Sequence, residues 1–205
     1  MSELRIGRAL GASLHQAIDE VLPTRLEFYE SWLTPKRVRD GTLGRAKITA
    51  VFSFLRQEPE GYDLVMERAG RYTAEWTLET MSGIERATVS NLPYVLRVRS
   101  VLRIGGRFIR GLHVDGRLRR TSRRGVTVVT IEHSLFCDQL APGSAPRCRF
   151  YGALLERCFE SFGLRRRAEI TRCLGTGDRV CEIMLETVNH QEEPPSCVPA
   201  GGAIP

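Results

Sequence analysis

Hydrophobic residues recur along this chain first with a helical period and later with a strand period. Over residues 4–22, Leu10, Leu14, Ala17, Ile18 and Val21 share one face of a helix that Pro23 ends. A shorter helix follows from Thr24 through "LEFYESWL". Thr34-Pro35 then starts another, with Thr at the N-cap and Pro at the first helical position. "LGRAKITAVFSFLRQ" places Leu43, Ala46, Ala50, Val51, Phe54 and Leu55 on one side, and "PEG" at 59–61 is a break. "YDLVMERAGRYTAEWTLETM" resumes a helical stripe through Leu64, Val65, Ala69, Tyr72, Trp76 and Met81. Gly70 in its middle costs about 1 kcal/mol against alanine and marks close helix packing. "YVLRVRSVLRIGGRFIRGLHV" reads as a helix giving way to a strand at Gly105-Gly106.

The pattern changes after residue 115. "DGRLRRTSRRG", 115–125, is a polar loop or hairpin tip, and "VTVVTIEHSLFC", 126–137, alternates and is β-branched, as a strand requires. "APGSAP", 141–146, is a loop. The strongest helix is "CRFYGALLERCFESFGL", 148–164, with Tyr151, Leu154, Leu155, Cys158, Phe159 and Phe162 on its stripe and Gly163 placed to end it. Two strands joined by a turn follow, "AEITRCL" and "RVCEIMLETV". The Pro-, Gly- and Glu-rich tail, which carries Cys197, is expected to be disordered. The expected organisation is one α/β domain of the α+β type over residues 1–189 and a tail over 190–205.

Composition narrows this picture. With 205 residues, 42% hydrophobic and 26% charged, the chain matches ordinary soluble globular proteins. It has no apolar run of the roughly 18 residues a membrane span needs, and its start lacks a signal-peptide apolar region, so a cytoplasmic location is expected. The net charge is +6, and all but Lys36 and Lys47 of the 30 basic residues are arginine. Arg117, Arg119, Arg120, Arg123 and Arg124 read as a solvated hairpin tip without interleaved aromatics, so nucleic acid is not the expected partner. His113 and His133 have no recognisable nucleophile or acid partner. The "GTGD" turn is not a phosphate loop, since no Lys-Ser/Thr follows it. No catalytic motif is present, and the expected function is non-enzymatic.

Six cysteines stand at 137, 148, 158, 173, 181 and 197. In a reducing compartment their clustering points to metal or to a buried core. Cys158 lies on the apolar stripe and is a core residue. In "RCLGTGDRVCEIML" a three-residue loop, Thr176–Asp178, would set Cys173 opposite Cys181, with Cβ atoms roughly 4.5–5.5 Å apart. That spacing suits a metal clip, a redox pair or two small packed side chains.

The helix "FYGALLERCFESFGL" followed by "EITRCLGTGDRVCEIML" resembles the C-terminal signature of the 4-vinyl reductase domain. "YDLVMERAGRYTAEW" is similar to an earlier helix of the same superfamily. That superfamily includes TRAPP subunits of vesicle tethering, sensor domains of phenol-responsive transcription activators, and a protein associated with bacteriochlorophyll synthesis. The resemblance implies a helical layer packed on a small, twisted, mostly antiparallel sheet. It also implies a structural zinc held by Cys148, Cys173, Cys181 and a carboxylate. The family's acidic position is occupied here by Ile170, and the nearest carboxylate is Glu169. By the same resemblance, the chain is a ligand-sensing or adaptor domain that binds a hydrophobic or aromatic small molecule or lipid. The pocket walls would be Phe54, Tyr72, Trp76, Phe136, Tyr151, Leu155 and Phe159, the assembly a homodimer, and the output passed to a protein partner. An interaction scaffold resembling TRAPP subunits is the alternative, and a tetrapyrrole-handling protein the third.

Overall fold

The computed structural model describes residues 7–112, 116–123, 126–137 and 143–188. His113, Arg124, Cys197 and the tail expected over 190–205 lie outside the described residues. Among the described residues, eight α-helices and four strands follow in the order α1 (Arg8–Val21), α2 (Leu26–Glu30), α3 (Pro35–Asp40), α4 (Arg45–Leu55), α5 (Pro59–Glu79), α6 (Gly83–Ser90), α7 (Tyr94–Leu112), β1 (Arg117–Arg123), β2 (Val126–Glu132), α8 (Arg149–Glu160), β3 (Arg166–Arg172) and β4 (Cys181–Thr187). The fold is α+β: a helical layer against one four-stranded antiparallel sheet of order β1-β2-β4-β3. Among the described residues, no helix is long and apolar enough to cross a membrane.

The sheet is built from two hairpins laid side by side. β2 and β4 fill its centre, and their Val129, Ile131, Ile183 and Leu185 are fully buried. β1 and β3 form its edges. The arginine-rich β1, 117–123, is a full partner of β2, so most of the stretch expected as a loop or hairpin tip is an arm of the hairpin. An edge strand needs only one apolar face and tolerates charge on the other.

α8 carries the core. Phe150, Tyr151, Leu154, Leu155, Cys158 and Phe159 are all fully buried, because α5 covers it on one side and β3 on another. α5 and α8 run in the same direction, as their ion pairs show: Glu67 with Arg149 at 2.7 Å and Glu75 with Arg157 at 2.7 Å. They come into close contact at Gly70, where a Cβ would stand 2.3 Å from the Phe150 carbonyl oxygen. The mid-helix glycine thus has a packing reason that outweighs its propensity cost. α1 lies on the same helix through a buried bond from Thr73 Oγ1 to Ser13 Oγ, 2.8 Å.

Three segments depart from the expected elements. "PEG" opens α5 instead of breaking the chain, since Pro at the first helical turn has no lost hydrogen bond. α7 continues through Gly105-Gly106 without turning into a strand. Both glycines are buried; a Cβ at Gly105 would come within 2.8 Å of Leu155, so close packing on α8 explains the first, while Gly106 faces Leu118 of β1 with room for a Cβ at 3.8 Å. α6 does not stand out in the hydrophobic pattern, although a signal for it is present. Ser82 accepts a bond from the Glu85 N–H at 3.2 Å, in a Ser-x-x-Glu capping arrangement. Ser82→Ala is therefore expected to cost about 1 kcal/mol in chemical denaturation.

Candidate metal centre

Four cysteines from four separate chain segments meet at one end of the sheet. Cys137 ends the turn that follows β2, Cys148 is the residue before α8, Cys173 follows β3, and Cys181 begins β4. All four are buried, with at most 5% of their surface exposed. Their ligand sulfurs all lie within 4.8 Å of one another. Individual Sγ···Sγ separations are 3.2 Å for 137–148, 3.4 Å for 137–173, 3.4 Å for 148–173, 3.0 Å for 148–181 and 3.6 Å for 137–181. A tetrahedral zinc site of four thiolates with bonds of about 2.3 Å has sulfur–sulfur edges of about 3.8 Å. The cluster is a slightly contracted version of that shape.

Local chain geometry explains how each sulfur arrives. β2 stops at Glu132 because His133 takes a left-handed conformation, φ 54°. That reverses the chain into "SLFC", where the Cys137 N–H donates to the Ser134 carbonyl at 3.3 Å. A non-glycine residue is strained there, and more so when it is β-branched. His133→Val is expected to lower stability by about 1–2 kcal/mol while His133→Gly does not, in thermal melts of the two variants. Two side chains from the helical layer then tie down the sulfur-bearing segments. The Arg56 guanidinium donates to the Phe136 carbonyl at 2.9 Å, and the Tyr62 hydroxyl to the Arg147 carbonyl at 3.1 Å.

The hairpin depends on a register shift. Ile170 pairs with Ile183, and continuing that register would set Arg172 across from Cys181. A bulge between Ile170 and Arg172 moves Arg172 to Glu182, and Cys173 then follows at the mouth of the hairpin beside Cys181. The connection is longer than three residues. It contains a 3-10 turn, Leu174–Thr176, and Gly177 at φ 96°. Asp178 closes it by accepting the Cys173 N–H at 2.9 Å, and the Thr176 hydroxyl donates to the Cys173 carbonyl at 2.8 Å.

Backbone amides are aimed at the sulfurs. Arg147 and Gly175 each donate an N–H to Cys173 Sγ at 3.3 Å, and Leu174 donates to Cys181 Sγ at 3.4 Å. Such bonds stabilise thiolate over thiol. Within the cluster Cys173 is held below the ordinary thiol value, first by the neighbouring Cys137 thiol, then by Cys148 and Cys181, and only lastly by the Arg147 amide, while the crowding of thiols pushes Cys148 and Cys181 up. Cys158 shows the contrast. It is buried on α8 away from the cluster, and burial pushes its thiol up to about 12. The donor set is four soft sulfurs, enclosed, with amides turned toward thiolate charge. These residues fit a tetrahedral thiophilic ion such as zinc.

Glu169 does not take part. It is exposed on β3, opposite Met184, while Ala168 on the adjacent position faces the core. One residue of offset in a strand turns a side chain to the other face. Cys137 stands in the cluster where the resemblance implies a carboxylate. Its signal in the sequence is a cysteine at the end of a strand, just upstream of another at a helix start.

The seven residues expected to wall a pocket fall into separate places. Phe136, Tyr151, Leu155 and Phe159 are fully buried, with Phe136 packed on Phe52, Phe150 and Tyr151 at ring separations of 5.0, 4.8 and 4.9 Å. Phe54 packs near the surface against Phe28 and Trp32. Tyr72 and Trp76 stack on each other at 5.4 Å, and the Tyr72 hydroxyl bonds Glu20. Of the seven, Trp76 lines a groove of about 660 Å³ between α1, α3 and α5, with Ala9, Ala12, Pro35 and Val38.

No family model matches the chain, and no curated protein matches it. Among solved structures, it is similar to the crystal structure of the phenol-responsive sensory domain of the transcription activator PoxR with phenol. The TM-score is 0.50 at 17% sequence identity, over 71% of this chain and 75% of that one. The α+β architecture described above is thus a fold shared with that sensory domain.

Proposed function

We propose that this chain is a non-enzymatic ligand-sensing or adaptor domain whose last helix and last hairpin are clamped by one structural zinc ion. The observation that carries the reading is the buried four-cysteine cluster. A closed four-thiolate site leaves no position for substrate, so its role is to hold the fold. Cys137, Cys148, Cys173 and Cys181 supply the ligands, and their segments are the ends of β2, α8, β3 and β4. Likeness to a sensory domain solved with phenol supports binding of a hydrophobic or aromatic small molecule. The groove at Trp76 offers the space for it: about 660 Å³, within the usual range of small-molecule sites, with Ala9, Ala12, Pro35, Val38 and Trp76 as apolar wall and Arg8, His15, Gln16 and Arg39 as polar groups.

Output then passes to another chain, a second copy or a different protein. Ile84, Val95 and Leu96 favour such a contact, being aliphatic side chains exposed by 82%, 58% and 46% on α6 and α7. Native mass spectrometry of the full chain tests the reading. The expected spectrum shows one zinc per chain and a retained or added aromatic ligand. A metal-free chain that remains folded and takes up no aromatic compound would refute it.

A further inference from the structure

The positive charge of the molecule is concentrated on α7 and β1. These two elements carry nine arginines and no acidic residue, whereas the whole chain has a net charge of +6. The remainder of the chain is therefore net acidic. α7 cannot turn its arginines elsewhere, because Val98, Val101, Ile104, Phe108 and Ile109 fix its opposite face in the core. The exposed arginines at 99, 103, 107 and 110 recur three and four residues apart on one face, over about 17 Å of helix.

Together with Arg120 of β1, these four line a groove of about 610 Å³. Leu102, Gly106 and Leu118 give the groove an apolar floor. Arg107 meets Glu85 at 2.7 Å, whereas Arg99, Arg103, Arg110 and Arg120 meet no carboxylate among the described residues. Like charges at this spacing on a helix repel. Among the described residues nothing supplies the counter-charge for these four, and an anionic ligand in the groove would relieve them. Guanidinium groups favour phosphate through paired hydrogen bonds. The groove is short and of small-molecule size, and no aromatic ring lines it for base stacking.

We infer that the groove between α7 and β1 binds a soluble small molecule carrying two or more phosphate groups, with its carbon skeleton over the leucine and glycine floor. This site is separate from the cysteine cluster and from the groove at Trp76.

Isothermal titration of the full chain with inorganic tripolyphosphate is the test. One saturable site per chain is expected, with affinity falling as salt rises. Arg103→Glu and Arg120→Glu should each weaken binding by at least about tenfold, the loss of a charge-assisted paired contact. Arg103→Gln and Arg120→Gln should weaken it in the same direction without introducing new charge. Arg167→Glu, on the opposite edge strand, should change it by less than about twofold, since a distant exposed charge is screened. Unchanged melting temperatures in these variants would show that the fold is intact. Three outcomes would overturn the inference: no saturable binding, equal weakening by Arg167→Glu, or tighter binding through the same arginines of duplex DNA or of phosphatidylserine vesicles.

Discussion

Replacing Cys137 with serine is expected to remove most of the zinc and to destabilise the whole last third of the chain. Loss of partners outside the coordination shell already costs about 10–100-fold in metal affinity, so loss of a direct ligand costs more. Each tenfold of affinity lost removes about 1.4 kcal/mol of stability at fixed metal, so a hundredfold loss removes about 2.7 kcal/mol. The effect is concentrated because the four sulfurs join the ends of β2, α8, β3 and β4 at one point. Zinc content and chemical denaturation, measured on the same samples, read both parts. Two further variants sharpen the result. Cys158→Ser disturbs the core of α8 but should leave one zinc per chain, because its sulfur is not in the cluster. Glu169→Gln should leave both zinc and stability unchanged, since that carboxylate is exposed on the outer face of β3.

Gly70 gives the other large effect. A methyl group there would lie 2.3 Å from the Phe150 carbonyl oxygen and 3.1 Å from both the Ala153 Cβ and the Leu154 nitrogen. Two of those three atoms are backbone of α8, which cannot swing aside as a side chain can. α5 and α8 must separate, and the ion pairs Glu67–Arg149 and Glu75–Arg157 stretch with them. Overpacking of this kind costs about 1–3 kcal/mol and sometimes more, against a helix-propensity gain of about 1 kcal/mol. Because the 2.3 Å overlap is with helix backbone, the upper end of that cost, about 3 kcal/mol, applies, so Gly70→Ala is expected to lose about 2 kcal/mol net, a fall in Tm of roughly 4–8 °C at this chain length. Gly70→Val should lose more, as its branched side chain meets the same backbone. A Tm unchanged by Gly70→Ala would mean that the two helices are not in contact at this point.

Much of the fold is legible in the sequence because its buried faces keep a strict period. The stripe of Tyr151, Leu154, Leu155, Cys158 and Phe159 marks α8, and the alternation of "VTVVTIE" marks β2. The illegible parts depend on tertiary context. β1 reads as a loop because an edge strand has only one apolar side, and here that side is short. Gly105-Gly106 reads as a break because the chain alone does not show Leu155 packed over the first of them. The cysteine cluster is legible in three of its four members. Cys173 and Cys181 meet as their symmetry about the turn suggests, but through a bulge and a longer loop than sequence spacing implies. Cys137 is hidden because its position depends on the reversal at His133, and a left-handed histidine leaves no mark on hydrophobic pattern. The expected pocket walls rest on apolar character alone, which does not distinguish the lining of a cavity from the packed core.

The proposed zinc clamp requires four thiolates, and no carboxylate, around one metal ion between α8 and the two hairpins. X-ray absorption fine structure at the zinc edge of the purified chain reads that shell. A single shell of four sulfur scatterers at about 2.3 Å is expected. A shell that mixes sulfur with oxygen at about 2.0 Å, or a sample with no metal edge at all, would refute the clamp.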